Sequence, residues 1–166
     1  MGSLSRKSLF WALALFLFCA FQLAAATTGT VDWVYDGDTL KLEGVGKVRL
    51  IGIDSPEHES SSRDNYYIKR HQISSNRLRD IAREALAFNI QHVKGRRVTL
   101  EFDEQKRDRF GRTLAYVYLP DGRQLNLLLI EKGLASVYRK FDFRRKREYL
   151  AAEERARKSR RGLWKQ

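Results

Sequence analysis

The chain has 166 residues, with 32 Lys and Arg against 20 Asp and Glu and a net charge of +12. This length suits one domain that buries a real core, and a single cysteine excludes a disulfide framework. The charge balance points away from cationic partners and toward a polyanion, either nucleic acid or an anionic membrane surface; a solvated basic surface without a partner is the plainer alternative.

The first 26 residues read as an export leader. Arg6 and Lys7 precede an unbroken apolar run over residues 9–21, and Ala24 and Ala26 supply a small-residue cleavage pattern. Cleavage is expected after Ala26, leaving a mature domain over residues 27–166. The rival is an uncleaved anchor, because residues 9–26 reach the lower limit for spanning a membrane. Arg6 and Lys7 are the leader's only charges, so its removal takes the net charge from +12 to +10 and also removes Cys19. The mature chain is then thiol-free and relies on its core for stability.

No internal repeat or long low-complexity tract interrupts the rest. Residues 30–54 read as strands separated by tight turns. Asp36-Gly37 is a hairpin signal with Gly37 suited to positive φ, and residues 44–46 mark the next turn. Residues 48–53 form a short apolar run that carries Arg49 and ends at Ser55-Pro56. Residues 58–74 are polar and read as an exposed loop. Leu78, Ile81, Ala82, Ala85, Phe88 and Val93 recur at helical spacing over residues 76–94, with Gly95 as the stop.

Residues 97–103 and 113–119 alternate as a strand pair flanking the loop at residues 108–112. Pro120-Asp121-Gly122 is another turn. Residues 126–132 form a short helix closed by Gly133, and residues 144–161 form a charged helix ended by Gly162. The expected class is α+β: a small barrel with helices packed on it, for which the five-stranded oligonucleotide-binding (OB) barrel with three helices is the common solution.

Several side chains in this frame could carry chemistry. Asp38 and Asp54 could hold a hard cation such as Ca²⁺, which takes oxygen ligands and leaves room for phosphate and water. The plainer reading makes Asp36-Gly37-Asp38 a turn and Asp54 a cap before Ser-Pro. Arg49 and Arg112 could hold a phosphate bidentately; otherwise Arg49 is a snorkelling edge residue and Arg112 an ordinary turn cation. Glu57 is placed to accept a proton from water. Positions 49 and 54 differ by an odd number, so a regular strand points them apart. Their convergence requires a bend, which Ser55-Pro56 could supply. His58, His71 and His92 are dispersed without zinc spacing.

Together, Asp36-Gly37-Asp38-Thr39, Arg49-Leu50-Ile51-Gly52-Ile53-Asp54-Ser55-Pro56-Glu57 and Asp108-Arg109-Phe110-Gly111-Arg112-Thr113-Leu114-Ala115 resemble the staphylococcal-type (thermonuclease) family. The match continues through Leu125-Asn126, Glu131-Lys132-Gly133-Leu134-Ala135 and Gly162-Leu163-Trp164, so it spans roughly residues 30–164. The resemblance implies an OB barrel with three helices and Ca²⁺-dependent cleavage of DNA and RNA, with single-stranded or unwound substrate preferred, leaving 3′-phosphate ends. It makes Asp38, Asp54 and the Ser55 carbonyl the metal ligands. Arg49 and Arg112 become the phosphate clamps and Glu57 the general base or water-orienting group. Arg109 and Phe110 stand where the staphylococcal enzyme has a lysine and a tyrosine that contact a terminal phosphate, although Phe110 lacks the hydroxyl. Tyr138 is a candidate for stacking on a base. A monomer without an obligate protein partner is expected. Residues 58–76 are longer and more basic than the staphylococcal loop. Arg63, Tyr66, Tyr67, Lys69, Arg70 and His71 mix cations with rings, and the segment is read as a solvated insertion, with nucleic-acid contact as the alternative. Two other functions compete: a non-catalytic OB module that binds single-stranded nucleic acid, and a membrane-tethered basic interaction factor.

Overall fold

Alternating apolar residues build the first half of the chain. In the computed structural model, which describes residues 27–165, β1 (Thr27–Val34), β2 (Thr39–Leu42) and β3 (Gly46–Leu50) form an antiparallel meander. Val31, Val34, Leu40, Leu42, Val48 and Leu50 face inward and are buried. Next come β4 (Ile53–Asp54), β5 (Arg97–Glu101), β6 (Thr113–Tyr118) and β7 (Ser136–Val137). One half of β1 pairs with β2 and the other with β5, with an irregularity between Val31 and Trp33. Parallel pairing of β3 with β6 closes a five-stranded barrel in the order β1-β2-β3-β6-β5, while β4 and β7 form a separate two-stranded pair. The expected barrel is therefore present. The expected leader, with Cys19, lies outside the described residues.

Among the described residues the helices number four rather than three: α1 (Asp64–His71), α2 (Ser75–Val93), α3 (Leu125–Glu131) and α4 (Lys146–Lys158), followed by a 3₁₀ turn at Gly162–Trp164. The additional one is α1, within the segment expected to be an exposed loop. Its Asp64 lies in the first turn and Lys69, Arg70 and His71 in the last, as the helix dipole favours. Its anchor is Tyr67, which is fully buried. One deeply buried ring across two turns leaves little periodicity to read, so the polar composition concealed the helix. By contrast, α2 buries Leu78, Ile81, Ala82, Ala85 and Val93, as its spacing predicts.

Two buried polar groups tie the helices to the sheets. Asn126 accepts from the Val117 amide at 3.0 Å and donates to the Ile51 carbonyl at 3.0 Å, joining α3 to β6 and to the turn after β3. Glu153 accepts from the Val137 amide at 2.9 Å and forms ion pairs with Arg139 and Arg157, holding β7 against α4. Burial pushes Glu153 upward, but the Arg139 and Val137 hydrogen bonds outweigh it and hold the carboxyl below the ordinary range.

His71 gives the fold a pH dependence. Its ring lies edge-on between Tyr66 and Trp164, and Arg157 approaches both ring nitrogens at 3.4 Å. Burial, then the Arg157 charge, pulls its pKa from 6.5 to about 4. The unfolded chain therefore binds more protons between these values, and stability falls as pH drops from 6.5 toward 4. After allowance for solvent screening of a partly exposed ring, the loss is about 1–2 kcal/mol. Urea unfolding at pH 7 and pH 4.5 measures it; His71→Asn should flatten that part of the slope, and an unchanged slope would remove His71 as its source.

Candidate active site

The turn between β1 and β2 presents the first acidic group. Asp36 accepts from the Asp38 amide at 2.8 Å. Gly37 is absent from the positive-φ glycines, so the expected backbone reason for it does not hold. A Cβ there would lie 2.0 Å from Ser55 Oγ and 2.8 Å from Ala85 Cβ, so glycine is needed for close approach. Asp38 is 3% exposed. Its Oδ2 accepts from the Ser55 amide at 2.9 Å, its Oδ1 accepts from Thr39 Oγ1 at 3.1 Å, and it forms an ion pair with Arg49.

Arg49 and Asp54 do converge, but the bend lies earlier than Ser55-Pro56. The chain turns at Ile51-Gly52, where Gly52 has φ +77° and a Cβ would strike the Phe143 ring. After this turn Arg49 Nη2 stands 3.5 Å from Asp54 Oδ1 and donates to the Ile53 carbonyl at 3.3 Å. Ser55 is buried behind the two aspartates, and its hydroxyl donates to the Leu134 carbonyl at 3.1 Å.

The additional helix completes this corner. Arg63 donates to Asp54 Oδ2 through Nη2 at 2.5 Å and Nε at 3.2 Å, and its guanidinium lies 5.2 Å from the centre of the Tyr138 ring. The Tyr67 hydroxyl lies 2.9 Å from the same carboxylate oxygen and from the Asp54 carbonyl. Burial, then the Asp54 charge, raises the Tyr67 pKa well above its ordinary value. The solvated-insertion reading of this segment is thus corrected: Arg63 reaches the candidate centre. Sequence marked Arg63 only as one member of a basic–aromatic segment and not as a partner of Asp54, which lies nine positions earlier across an irregular stretch.

Arg112 enters from the β5–β6 loop. Asp108 accepts from the Phe110 amide at 2.9 Å, from the Arg112 amide at 3.0 Å and from Arg112 Nε at 2.7 Å, so it shapes the loop and aims the guanidinium together. An open groove of about 1430 Å³ is lined by Asp36, Asp38, Arg49, Asp54, Glu57 and Arg112. Arg109, Phe110, Arg63 and Tyr138 line it too, with Phe110 69% exposed. Of the nine residues to which the resemblance assigns metal, phosphate, proton-transfer or nucleotide contacts, Ser55 alone does not line the groove.

The groove is lined by eight acidic and eight basic residues; around the two aspartates, Asp36, Asp38, Asp54 and Glu57 stand with Arg49 and Arg63, while Arg112 is engaged by Asp108. Partial burial, then the Asp36 charge, raises the Glu57 pKa; burial raises that of Asp36. All of these acidic donors are oxygens, the type a hard divalent cation accepts, and added positive charge would relieve their crowding. Among the described residues, no three His, Cys, Asp or Glu side chains form a metal-holding group, and Asp38 and Asp54, each facing Arg49, are the buried carboxylates of the groove. The set fits a cation that keeps several waters.

Residues 47–166 match the family model described as staphylococcal nuclease homologue. The chain belongs to the staphylococcal nuclease family. It is 32% identical over 136 residues to the thermonuclease of Staphylococcus hyicus, covering 79% of this chain and 72% of that one. An uncharacterized endonuclease of Escherichia coli is 32% identical over 155 residues, covering 92% and 86%. An uncharacterized protein of Methanocaldococcus jannaschii is 34% identical over 147 residues, covering 82% and 70%. Membership of the staphylococcal nuclease family supports nuclease activity, with nucleic acid as the substrate class.

Proposed function

We propose that this chain is an exported, Ca²⁺-dependent nuclease that hydrolyses DNA and RNA, preferring single-stranded or unwound substrate, as a monomer, and leaves 3′-phosphate ends. The observation carrying this reading is the groove that gathers Asp38, Arg49, Asp54, Glu57 and Arg112 from three separate stretches of sequence. Export is supported by Arg6 and Lys7, the apolar run behind them and the Ala24/Ala26 pattern.

In this reading Asp38, Asp54 and the Ser55 carbonyl hold the cation. When bound, Ca²⁺ would supply positive charge to the attacked phosphate and a template for substrate. Glu57 takes a proton from the attacking water as its oxygen bonds to phosphorus. Arg49 and Arg112 hold the nonbridging oxygens, on which charge builds in the transition state. The bond from phosphorus to the 5′ oxygen breaks, and that oxygen takes a proton from solvent. Arg109, Phe110 and Tyr138 contact flanking nucleotides at the rim. Digesting an oligonucleotide and identifying its new ends tests the direction of cleavage: 3′-phosphate is expected, and 3′-hydroxyl ends would overturn it.

Arg63 gives a test independent of turnover. It shares Asp54 with the cation in this reading, so Arg63→Gln removes both a competing partner and a nearby positive charge. Ca²⁺ binding, measured by calorimetry without nucleic acid, should tighten about tenfold. Unchanged or weaker binding would contradict the assignment of Asp54 as a ligand that Arg63 restrains.

A further inference from the structure

We propose that the outer face of β1–β3 carries a stacking platform for single-stranded nucleic acid, built from Trp33 and Tyr35 with Lys47 and Lys94, that extends the candidate active site beyond Arg49. Trp33 is 52% exposed and Tyr35 38%, while Val34 between them is buried, so both rings point outward. Two large exposed rings on one face of a strand offer a surface that a stacking partner would bury. Lys94, at the end of α2, holds its ammonium 4.5 Å from the centre of the Trp33 ring, and Lys47 lies 4.3 Å from that of Tyr35.

Sheet register joins these groups to the site. Trp33 pairs with Lys41 and Lys41 with Lys47, forming one outward row across three strands. The next row starts at Tyr35, whose amide donates to the Thr39 carbonyl at 3.0 Å, and Thr39 pairs with Arg49. Lys47 and Arg49 therefore share one face of β3, two residues or roughly 7 Å apart. Lys41 is engaged by Asp32 at 2.6 Å and contributes little net charge. An aromatic pair under cations, continuous with an arginine that faces the groove, suits a chain of stacked bases with a phosphate backbone. Exposed ammonium–ring contacts are weak, so Lys47 and Lys94 can turn to phosphates while bases take the rings. A neutral apolar partner would leave both ammonium groups without a counter-charge.

The role of this surface as a substrate path rests on the nuclease reading; its binding of single strands is tested separately. Fluorescence anisotropy with a labelled oligothymidylate of about twelve nucleotides, in chelator so that no cleavage occurs, gives the affinity. Trp33→Ala with Tyr35→Ala should weaken binding about tenfold or more, since each lost base stack costs that much. The gain in affinity on lengthening the probe from a dinucleotide should shrink accordingly, while Trp33→Phe, which keeps a ring, retains most of it. Lys47→Glu with Lys94→Glu should weaken binding as well and make it less salt-dependent. Affinity within twofold of wild type in both double variants would overturn the platform, whether or not the protein cuts. Weakened binding in a protein that fails to cleave with Ca²⁺ would keep the binding face and remove the nuclease reading.

Discussion

Glu57→Gln is expected to lower kcat/KM for single-stranded DNA by about 10²–10⁴-fold, the range for loss of a positioned general base. The amide keeps the shape of the side chain and cannot take a proton. Glu57 is exposed within the groove, three residues beyond Asp54, with Pro56 fixing the backbone between. Partial burial, then Asp36, raises its proton affinity, which suits a base better than an ordinary surface glutamate. Among the described residues its side chain makes no hydrogen bond or ion pair, so the thermal midpoint should stay near wild type and Ca²⁺ affinity should change by no more than a few-fold. Wild-type turnover in the variant would remove Glu57 from the chemistry.

Arg49→Lys is expected to lower kcat by about 10²–10³-fold with a smaller change in KM. Arg49 extends from β3 between Asp38 and Asp54, with only 18% of its side chain exposed. Lysine preserves the positive charge these carboxylates need but loses the planar fork that meets two phosphate oxygens together. The loss should fall mainly on kcat, because those oxygens gain charge in the transition state. Steady-state kinetics on a single-stranded oligonucleotide separates the two constants. A variant with kcat within threefold of wild type would reduce Arg49 to a structural partner of the aspartates.

The barrel was readable because its strands alternate cleanly: Val48 and Leu50 turn inward on either side of Arg49, and glycines punctuate the turns. The site residues were readable only in combination, since Asp38 or Arg112 alone is ordinary. What sequence concealed were contacts made across space. Glycine at the Gly52 bend is required by the Phe143 ring, 91 positions away, as well as by its positive φ. Gly37 is fixed by Ser55, and Arg63 by a carboxylate that only the fold brings near. Trp33 and Tyr35 have ordinary strand composition, and their exposure emerges only when the bulge and register of β1 are known.

The central claim is that these residues form a cation-dependent phosphodiesterase. Digestion of single-stranded DNA by the purified domain, with Ca²⁺ and with a Ca²⁺ chelator, tests it most directly, with Glu57→Gln prepared alongside to exclude a contaminating nuclease. Cleavage that requires Ca²⁺ and collapses in the variant is the predicted result; binding without cleavage in either condition, or cleavage that persists in the chelator, would contradict it.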